Sequence, residues 1–287
     1  CCHFGRTPPC TTSIIESGVK NVYVSVLDPN PNVDGGGVNN LKDAGLEVSV
    51  GLNEKESLNV MAPHFTLMRT GRPLVIAKFA MSLDGKIASV SGESKWITGR
   101  KARERVHQLR SHSDAVMVGI NTVLTDDPKL TARDGVLPEG FTQPLRVVVD
   151  SNMRTPVTSS ICNRDAKTLI ATCKSDTHPE FPDSVSVKTF PSNSSGVDLD
   201  ALFKYLGDMS VTSVLVEGGS SLFGSLFDQR LVDKVYAFLA PIIIGGSSKG
   251  VVGGRGAYHM SEVGRLVGVE LKRIDEDFLL TGYCSKE

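Results

Sequence analysis

The stretch SVLVEGGSSLFGSLFDQRL, residues 213–231, predicts one complete unit of an α/β fold. An apolar run typical of a buried strand leads into Glu217 and two glycines, and a helix with apolar periodicity begins at Ser220 or Ser221. Glycine lets the backbone turn sharply and approach a ligand closely. The N–H groups at the start of the helix would stabilise an anion such as a dinucleotide pyrophosphate. The stretch therefore predicts a phosphate-binding turn at the end of a strand.

The same alternation of short apolar strands with helices continues on both sides of this unit. Helices are expected around residues 99–112, 198–207 and 220–229. No G-x-G-x-x-G follows a first strand, which argues against a standard Rossmann domain. The pattern nevertheless predicts the α/β class. Strands are expected at LVIAKFA (74–80), AVMVG (115–119), LRVVVD (145–150), TLIAT (168–172), VSVKTF (185–190), KVYAFLAP (234–241), VELKRID (269–275) and FLLTGYC (278–284).

A smaller region precedes this one, and we place the boundary near Arg72. A strand is expected over 21–28, a turn region over 28–37 and a helix followed by a strand over 41–51. A helix over 54–71 contains Pro63, which should start or kink its second half. The predicted domains are residues 1–71 and 72–287.

Composition excludes several functional classes. Lys and Arg number 31 and Asp and Glu number 32, so the net charge of -1 offers no overall field to hold nucleic acid or an anionic membrane. Apolar runs are interrupted well short of the roughly 20 residues that span a bilayer. The six cysteines are scattered without the spacing of a disulfide framework. By default we expect a cytoplasmic protein with a small-molecule substrate.

The first ten residues, CCHFGRTPPC, suggest part of a metal site. A cysteine at the start of a helix, as predicted for Cys10, is favoured as the thiolate that binds zinc. A zinc deaminase also needs a third protein ligand and a Glu that shuttles protons. The formal H-x-E pattern at 178–180 lies after the cysteines rather than before them, and we interpret it as an exposed loop.

Several long motifs, taken in order, are specific to one family. CCHFGRTPPC (1–10) and the run over 17–37 closely resemble the second half of the deaminase domain of bifunctional riboflavin-biosynthesis deaminase-reductases. The remaining chain resembles the reductase domain of that family. The resemblance implies a dihydrofolate-reductase-like domain that binds NADPH, preceded by half of a cytidine-deaminase-like domain. Its reductase motifs are KFAMSLDGKIA (78–88), SGESKWITG (91–99), TVLTDDPKLTAR (122–133) and VEGGSSLFGSL (216–226).

In the deaminase half, the resemblance makes Cys1 and Cys10 two of three zinc ligands. His3 and Arg6 would fall in the loop that contacts the deaminase substrate. The family's H-A-E residues precede the first cysteine, so we expect them before residue 1 and do not expect this sequence alone to deaminate. Partial zinc binding through Cys2 or His3 stays open, without restoring catalysis.

In the reductase half, the resemblance assigns two sets of contacts. Arg110 and Arg133 would together grip a sugar phosphate through forked hydrogen bonds. The substrate set is Ser94, Arg110, Leu130, Arg133 and Glu217. The NADPH set is Ala80, Trp96, Thr122, Asp126, Ser151, Gly219, Ser220, Ser221, Leu222, Phe223, Gly224 and Ser225.

Lys78 stands out because a charge inside an apolar strand is costly to bury unless it is paired. It is either exposed on an edge strand or placed at a site. Our hypothesis is that Lys78 and Glu217, at neighbouring strand ends, orient the substrate and help to protonate the atom left negative by hydride arrival. Asp84, followed by glycine, is interpreted as a turn residue.

The reaction implied by the resemblance is NADPH-dependent reduction of 5-amino-6-(5-phosphoribosylamino)uracil to its ribityl form. Two other classes remain open: a complete parent chain that is also a zinc-dependent hydrolase, and a non-catalytic nucleotide-binding module. The family further implies a homo-oligomer.

Overall fold

The computed structural model describes residues 2, 8–30, 33, 35–133, 137, 140, 142–175, 180–194 and 196–285. Contacts within the chain divide it into two compact units, Cys1–Pro73 and Leu74–Glu287. Across the described ranges, no helix has the length and apolar character needed to cross a membrane.

The first unit is a small α/β unit. Its elements are α1 (Cys10–Glu16), β1 (Asn21–Val24), α2 (Gly36–Asp43), β2 (Glu47–Val50) and α3 (Glu54–Thr70). The two strands are parallel, in a register that pairs Asn21 with Glu47. Leu41 and Phe65 are buried in this unit.

In this unit the sequence prediction made one strand too long and placed the start of one helix inside a turn region. The strand expected to reach residue 28 ends at Val24, and α2 begins at Gly36, inside the expected turn region. Pro63 lies within the single helix α3, which ends where Gly71 adopts a left-handed φ of 69°.

The second unit is built on a nine-stranded sheet of order β12-β13-β11-β3-β10-β4-β5-β6-β7. The seven strands from β11 to β7 are parallel, and the β11-β13-β12 edge is antiparallel. The strands are β3 (Leu74–Ser82), β4 (Ala115–Gly119), β5 (Leu145–Val149), β6 (Thr168–Thr172), β7 (Val185–Thr189), β8 (Ser192–Asn193), β9 (Gly196–Val197), β10 (Ser213–Val216), β11 (Lys234–Ala240), β12 (Leu266–Ile274) and β13 (Asp277–Cys284), of which β8 and β9 form a separate short hairpin. The helices are α4 (Arg100–Ser111), α5 (Ile120–Asp126), α6 (Leu199–Asp208) and α7 (Ser220–Asp228).

The central strands are predominantly apolar because both faces of the sheet are covered. Every residue of β6 and β10 is buried. Asp198 caps α6 by accepting a hydrogen bond from the Ala201 amide at 3.1 Å. The strands and helices expected in this unit are present within a few residues of their predicted ends. The sequence missed α5 and the β8-β9 hairpin, which are too short for a clear periodicity.

The glycine turn lies where the parallel strands end, the edge at which open α/β sheets bind ligands. Gly218 and Gly219 have φ of 152° and 84°, values that a side chain would strain. The Gly119 amide, at the end of β4, donates to the Gly218 carbonyl at 3.1 Å. Helix α7 therefore starts at a turn that is fastened to the neighbouring strand.

Helix α7 packs closely on a second glycine segment. A Cβ placed on Gly224 would lie 2.3 Å from the Gly254 amide nitrogen and 2.4 Å from the Gly253 carbonyl carbon. Both are backbone atoms, so they cannot rotate away.

We predict that Gly224→Ala lowers the free energy of unfolding by about 2 kcal/mol because the new methyl group overpacks this contact. Urea denaturation followed by circular dichroism measures it. The matched control is Gly264→Ala, since a Cβ there meets nothing within 4 Å. Equal stabilities of the two variants would contradict the prediction.

Candidate active site

A cleft of about 1730 Å³ opens in the second unit at the carboxyl ends of the parallel strands. It is lined by β3, α4, the loop after α5 and the glycine turn before α7. All five residues predicted to contact substrate line it, together with Lys78: Ser94, Arg110, Leu130, Arg133 and Glu217.

A buried charged cluster occupies this cleft, with Glu217 between Lys78 and Arg110. The Lys78 Nζ lies 3.5 Å from Glu217 Oε2, and Arg110 donates from Nε and Nη2 to the two carboxylate oxygens. The side chains of Lys78, Glu217 and Arg110 are only 13%, 6% and 16% exposed. The carboxylate therefore holds two cations in one fixed arrangement.

The charge states follow from burial and pairing. Burial alone would raise the pKa of Glu217, but the charges of Arg110 and Lys78 outweigh it and hold that pKa at about 2. Burial lowers the pKa of Lys78, and the Glu217 carboxylate opposes that shift. Burial opposes protonation of Arg110, yet Glu217 raises its pKa. Glu217 is therefore ionised near neutral pH.

Strand register places Lys78 beside Glu217. Because Val216 pairs with Ala77 in parallel register, the next residues of the two strands are neighbours. Glu217 directly follows the end of β10, whereas Lys78 lies in the middle of β3, which is flanked by β11 and β10. The alternative of an edge-exposed lysine is therefore wrong.

Arg110 occupies the inner face near the end of α4. The basic residues Arg100, Lys101 and Arg105 of the same helix are exposed, as expected of a solvated face. Arg110 also donates from Nη1 to the Thr131 carbonyl at 3.0 Å. It therefore ties the loop after α5 to the charged cluster.

That loop is held rigidly at several points. The Gln143 side chain accepts from the Ala132 amide and donates to the Ala132 carbonyl, both at 2.8 Å. Leu130 is buried with a left-handed φ of 51°. Arg146, wholly buried in β5, donates from Nη1 to the Lys129 carbonyl at 3.5 Å.

The structure corrects the expectation that Arg110 and Arg133 grip a phosphate as a pair. The forked edge of Arg110 already faces the Glu217 carboxylate. Arg133 lines the same cleft and is exposed. Of these two arginines, only Arg133 is placed to offer its fork to an incoming anion.

All but one of the residues predicted to contact the cofactor line either the cleft or a smaller cavity. A second cavity, of about 140 Å³, lies beside the cleft. Gly224 lines neither space and instead packs on the 253–254 backbone. Ala80, Trp96, Thr122, Asp126, Gly219, Ser220 and Phe223 line the cleft, while Ser151, Ser221, Leu222 and Ser225, again with Gly219, line the smaller cavity.

Trp96 lies at the surface of the cleft and not in the core. It is 66% exposed, and the Arg103 guanidinium lies 4.2 Å from its ring centroid. Asp84 forms the expected turn, but it also accepts hydrogen bonds from the amides of Ile244 and Gly245. The hydrogen bond from the Ser82 hydroxyl, together with these two, lowers the pKa of Asp84 to about 2.

The cleft residues that sequence reasoning missed include His107, Ser248 and Lys249. Burial and the charges of Arg110 and Arg133 lower the pKa of His107. No local pattern distinguished His107. Ser248 and Lys249, however, belong to GGSSKG (245–250), which repeats the GGSS of residues 218–221. That repeat was a usable signal.

The expected metal ligands give no site that can be described. Cys1, His3, Arg6 and His178 lie outside the described residues. Cys10 begins α1 and is exposed. Within the part of the chain that the structure covers, no three His, Cys, Asp or Glu side chains are grouped to hold a metal. We therefore derive no step through a zinc ion.

A dinucleotide cofactor fits the residues that are present. Gly218 and Gly219 have no side chains to cover the backbone before α7. The first N–H groups of α7 have no hydrogen-bond partner within the helix. The Ser248 Oγ is buried, and no described group forms a hydrogen bond with it. These features suit the phosphates of a nucleotide.

The fold and cleft define an α/β oxidoreductase, a class that the comparisons with known proteins support. The family model described as the RibD C-terminal domain matches residues 73–280. The chain belongs to the RibD family, whose members act in riboflavin biosynthesis.

Relatives and solved structures agree with this assignment. The riboflavin biosynthesis protein RibD of Actinobacillus pleuropneumoniae is 42% identical, over 98% of this chain and 75% of its own length. That of Escherichia coli is 35% identical, over 98% and 78%. The predicted family is thus confirmed.

Two solved structures support the fold. A Thermotoga maritima diaminohydroxyphosphoribosylaminopyrimidine deaminase/5-amino-6-(5-phosphoribosylamino)uracil reductase matches with a TM-score of 0.85 at 34% identity, over 99% of this chain and 77% of that one. An Acinetobacter baumannii RibD matches with a TM-score of 0.86 at 33% identity, over 100% and 79%. The predicted fold class is therefore confirmed.

We predict that the stability contributed by Glu217 disappears in acid. Its folded pKa of about 2 lies below the ordinary 4.5, so the contribution is complete above 4.5 and is lost as the pH falls towards 2. Near neutral pH, Glu217→Gln should lower the free energy of unfolding by about 3 kcal/mol, because two buried cations lose their partner.

Urea denaturation of parent and variant across this pH range measures the difference. Asp84 also titrates there, but it is present in both proteins and cancels. A difference that stays constant down to the lowest pH would refute the assignment.

Proposed function

We propose that the second unit catalyses the NADPH-dependent reduction of 5-amino-6-(5-phosphoribosylamino)uracil, converting its ribosyl group to ribityl. The observation that carries the proposal is the buried Lys78–Glu217–Arg110 cluster, which lies in one cleft with the glycine turn before α7. The Thermotoga maritima relative is named for this reduction, and this chain covers 77% of that protein.

When bound, NADPH would supply a hydride to C1 of the ring-opened sugar, which is an imine carbon. The turn at 218–219 and the first residues of α7 would hold its phosphates, and Trp96 and Ala80 would line its path in the cleft. Thr122, Asp126 and Ser151 belong to the same proposed cofactor set.

Lys78 is the group that we assign to proton transfer. As hydride adds to C1, the C=N electron pair moves to nitrogen, and the Lys78 ammonium gives that nitrogen its proton. Because burial lowers the pKa of Lys78, the ammonium is a stronger acid than an exposed lysine. The net change is one hydride and one proton added across the C=N bond.

Glu217 has a different role from the one expected of it. With a pKa of about 2 it carries no proton to give near neutral pH. Its carboxylate orients the Lys78 ammonium and the Arg110 guanidinium, and it keeps the lysine charged in a buried place. The hypothesis that both residues protonate the product is therefore narrowed to Lys78.

Substrate positioning is assigned to the loop after α5 and to Ser94. Arg133 would bind the sugar phosphate with its exposed guanidinium. Leu130, with the adjacent Thr131 carbonyl that accepts from Arg110, would set the distance between that phosphate and Lys78.

For residues 1–71 we propose the second half of a zinc deaminase domain, with Cys1 and Cys10 as two of its ligands. Residues 72–287 are the proposed reductase domain. A homo-oligomer, a cytoplasmic location and a small-molecule substrate remain predictions, and a non-catalytic nucleotide-binding module is the competing function.

The test is loss of NADPH absorbance when the purified chain meets the deaminated phosphoribosylaminouracil, with the still-aminated pyrimidine as a parallel substrate. We expect oxidation with the deaminated compound alone. Folded protein that binds NADPH but oxidises it with neither compound would favour the module and defeat the proposal.

We predict that Lys78→Met lowers kcat by about 10²- to 10⁴-fold, because the proton donor is lost. The affinity for NADPH should change much less, which fluorescence titration measures. Lys167→Met is the control, since Lys167 is exposed just before β6, at the opposite end of the strands. Normal turnover by both Lys78→Ala and Glu217→Ala would contradict the roles assigned here.

A further inference from the structure

The GGSSKG loop, residues 245–250, repeats the composition of the glycine turn at 218–221 and lies in the same cleft. It is anchored to the turn after β3. Asp84 accepts from the amides of Ile244 and Gly245 at 3.1 and 2.7 Å. The Lys86 ammonium donates to the Ser248 carbonyl at 3.1 Å, and the Ile87 amide donates to the Lys249 carbonyl at 3.0 Å.

The chain that leaves this loop is fastened to α7. The Gly253 amide donates to the Ser220 carbonyl at 2.9 Å, and Asp228 accepts from the Arg255 amide at 2.7 Å. Gly224 leaves the room that this close packing needs. The loop is therefore held from two sides next to the first turn of α7.

Two side chains of the loop have the chemistry of an anion site. Ser248 is only 6% exposed, lines the cleft, and has a buried Oγ for which the described residues provide no hydrogen-bond partner. A buried hydroxyl without a partner is costly unless a ligand or water meets it. Lys249 is exposed and lines both the cleft and the smaller cavity.

The smaller cavity is suited to a phosphate. Among the described residues that line it, Lys249 is the single charged one, so no carboxylate there neutralises its ammonium. The start of α7 adds the positive end of a nine-residue helix. The other polar side chains of the wall are Asn121, Ser151, Ser221 and Ser225.

We propose that the GGSSKG loop is a second phosphate-binding element beside the 218–221 turn, in which Lys249 and Ser248 bind a phosphate of the dinucleotide where the cleft meets the smaller cavity. The inference rests on the proposed function and adds to it the cation that recognises the cofactor. The phosphate is either the pyrophosphate, common to NADPH and NADH, or the 2′-phosphate, which only NADPH carries.

The test is fluorescence titration of the full chain with NADPH and with NADH. Lys249→Met should raise the Kd for NADPH about tenfold, which corresponds to about 1.4 kcal/mol, through loss of a charge-assisted contact. Ser248→Ala should raise it less, and Lys249→Arg should largely restore binding. Lys167→Met, which removes an exposed lysine at the far end of the sheet, should bind like the parent.

The two nucleotides distinguish the two phosphates. An equal loss for NADPH and NADH assigns Lys249 to the pyrophosphate, and a loss for NADPH alone assigns it to the 2′-phosphate. If the parent binds NADPH and Lys249→Met binds both nucleotides with the parental Kd, this proposal fails while the proposed function stands. If the parent binds neither nucleotide, both fail.

Discussion

The Glu217 carboxylate, held between Lys78 and Arg110, is the interaction on which the rest of the site depends. A lysine in the middle of a central strand is tolerated only with a counter-charge, and Glu217 supplies it from the adjacent strand. The same carboxylate fixes Arg110, and Arg110 fixes the loop at Thr131. Charge pairing thus connects the sheet, α4 and the loop after α5.

This arrangement separates two tasks at the carboxyl edge of the sheet. The charged cluster is enclosed beside β3. Its low exposure to water strengthens the attraction between its opposite charges. The glycine turn at 218–219 immediately follows Glu217 along the chain. A cofactor held by that turn and a proton held on Lys78 would therefore meet in one cleft, which is what a hydride-and-proton reduction requires.

Much of the fold could be predicted because its signals are local. The strands β4, β6 and β10 are predominantly apolar, and the periodicity of α4, α6 and α7 is clear. The family resemblance assigned residues that line the cleft, including Arg110, which its helix pattern alone would have placed on a solvated face. The sequence did not predict α5, because so short a helix shows no clear apolar periodicity. For the same reason the start of α2 was predicted as part of the turn region 28–37.

The sequence by itself determined the α/β class, the strand that ends in Glu217 and the glycine turn, because these depend on residues close together in the chain. Only the tertiary structure decided the charge states and pairings. Glu217 and Lys78 are 139 residues apart, and strand order makes them neighbours. The sequence alone allowed Arg110 to bind a phosphate, but in the fold its guanidinium donates to the Glu217 carboxylate. The repeated GGSS marks the 245–250 loop in the sequence, but packing on α7 and pairing with the turn after β3 are what place Ser247, Ser248 and Lys249 in the cleft.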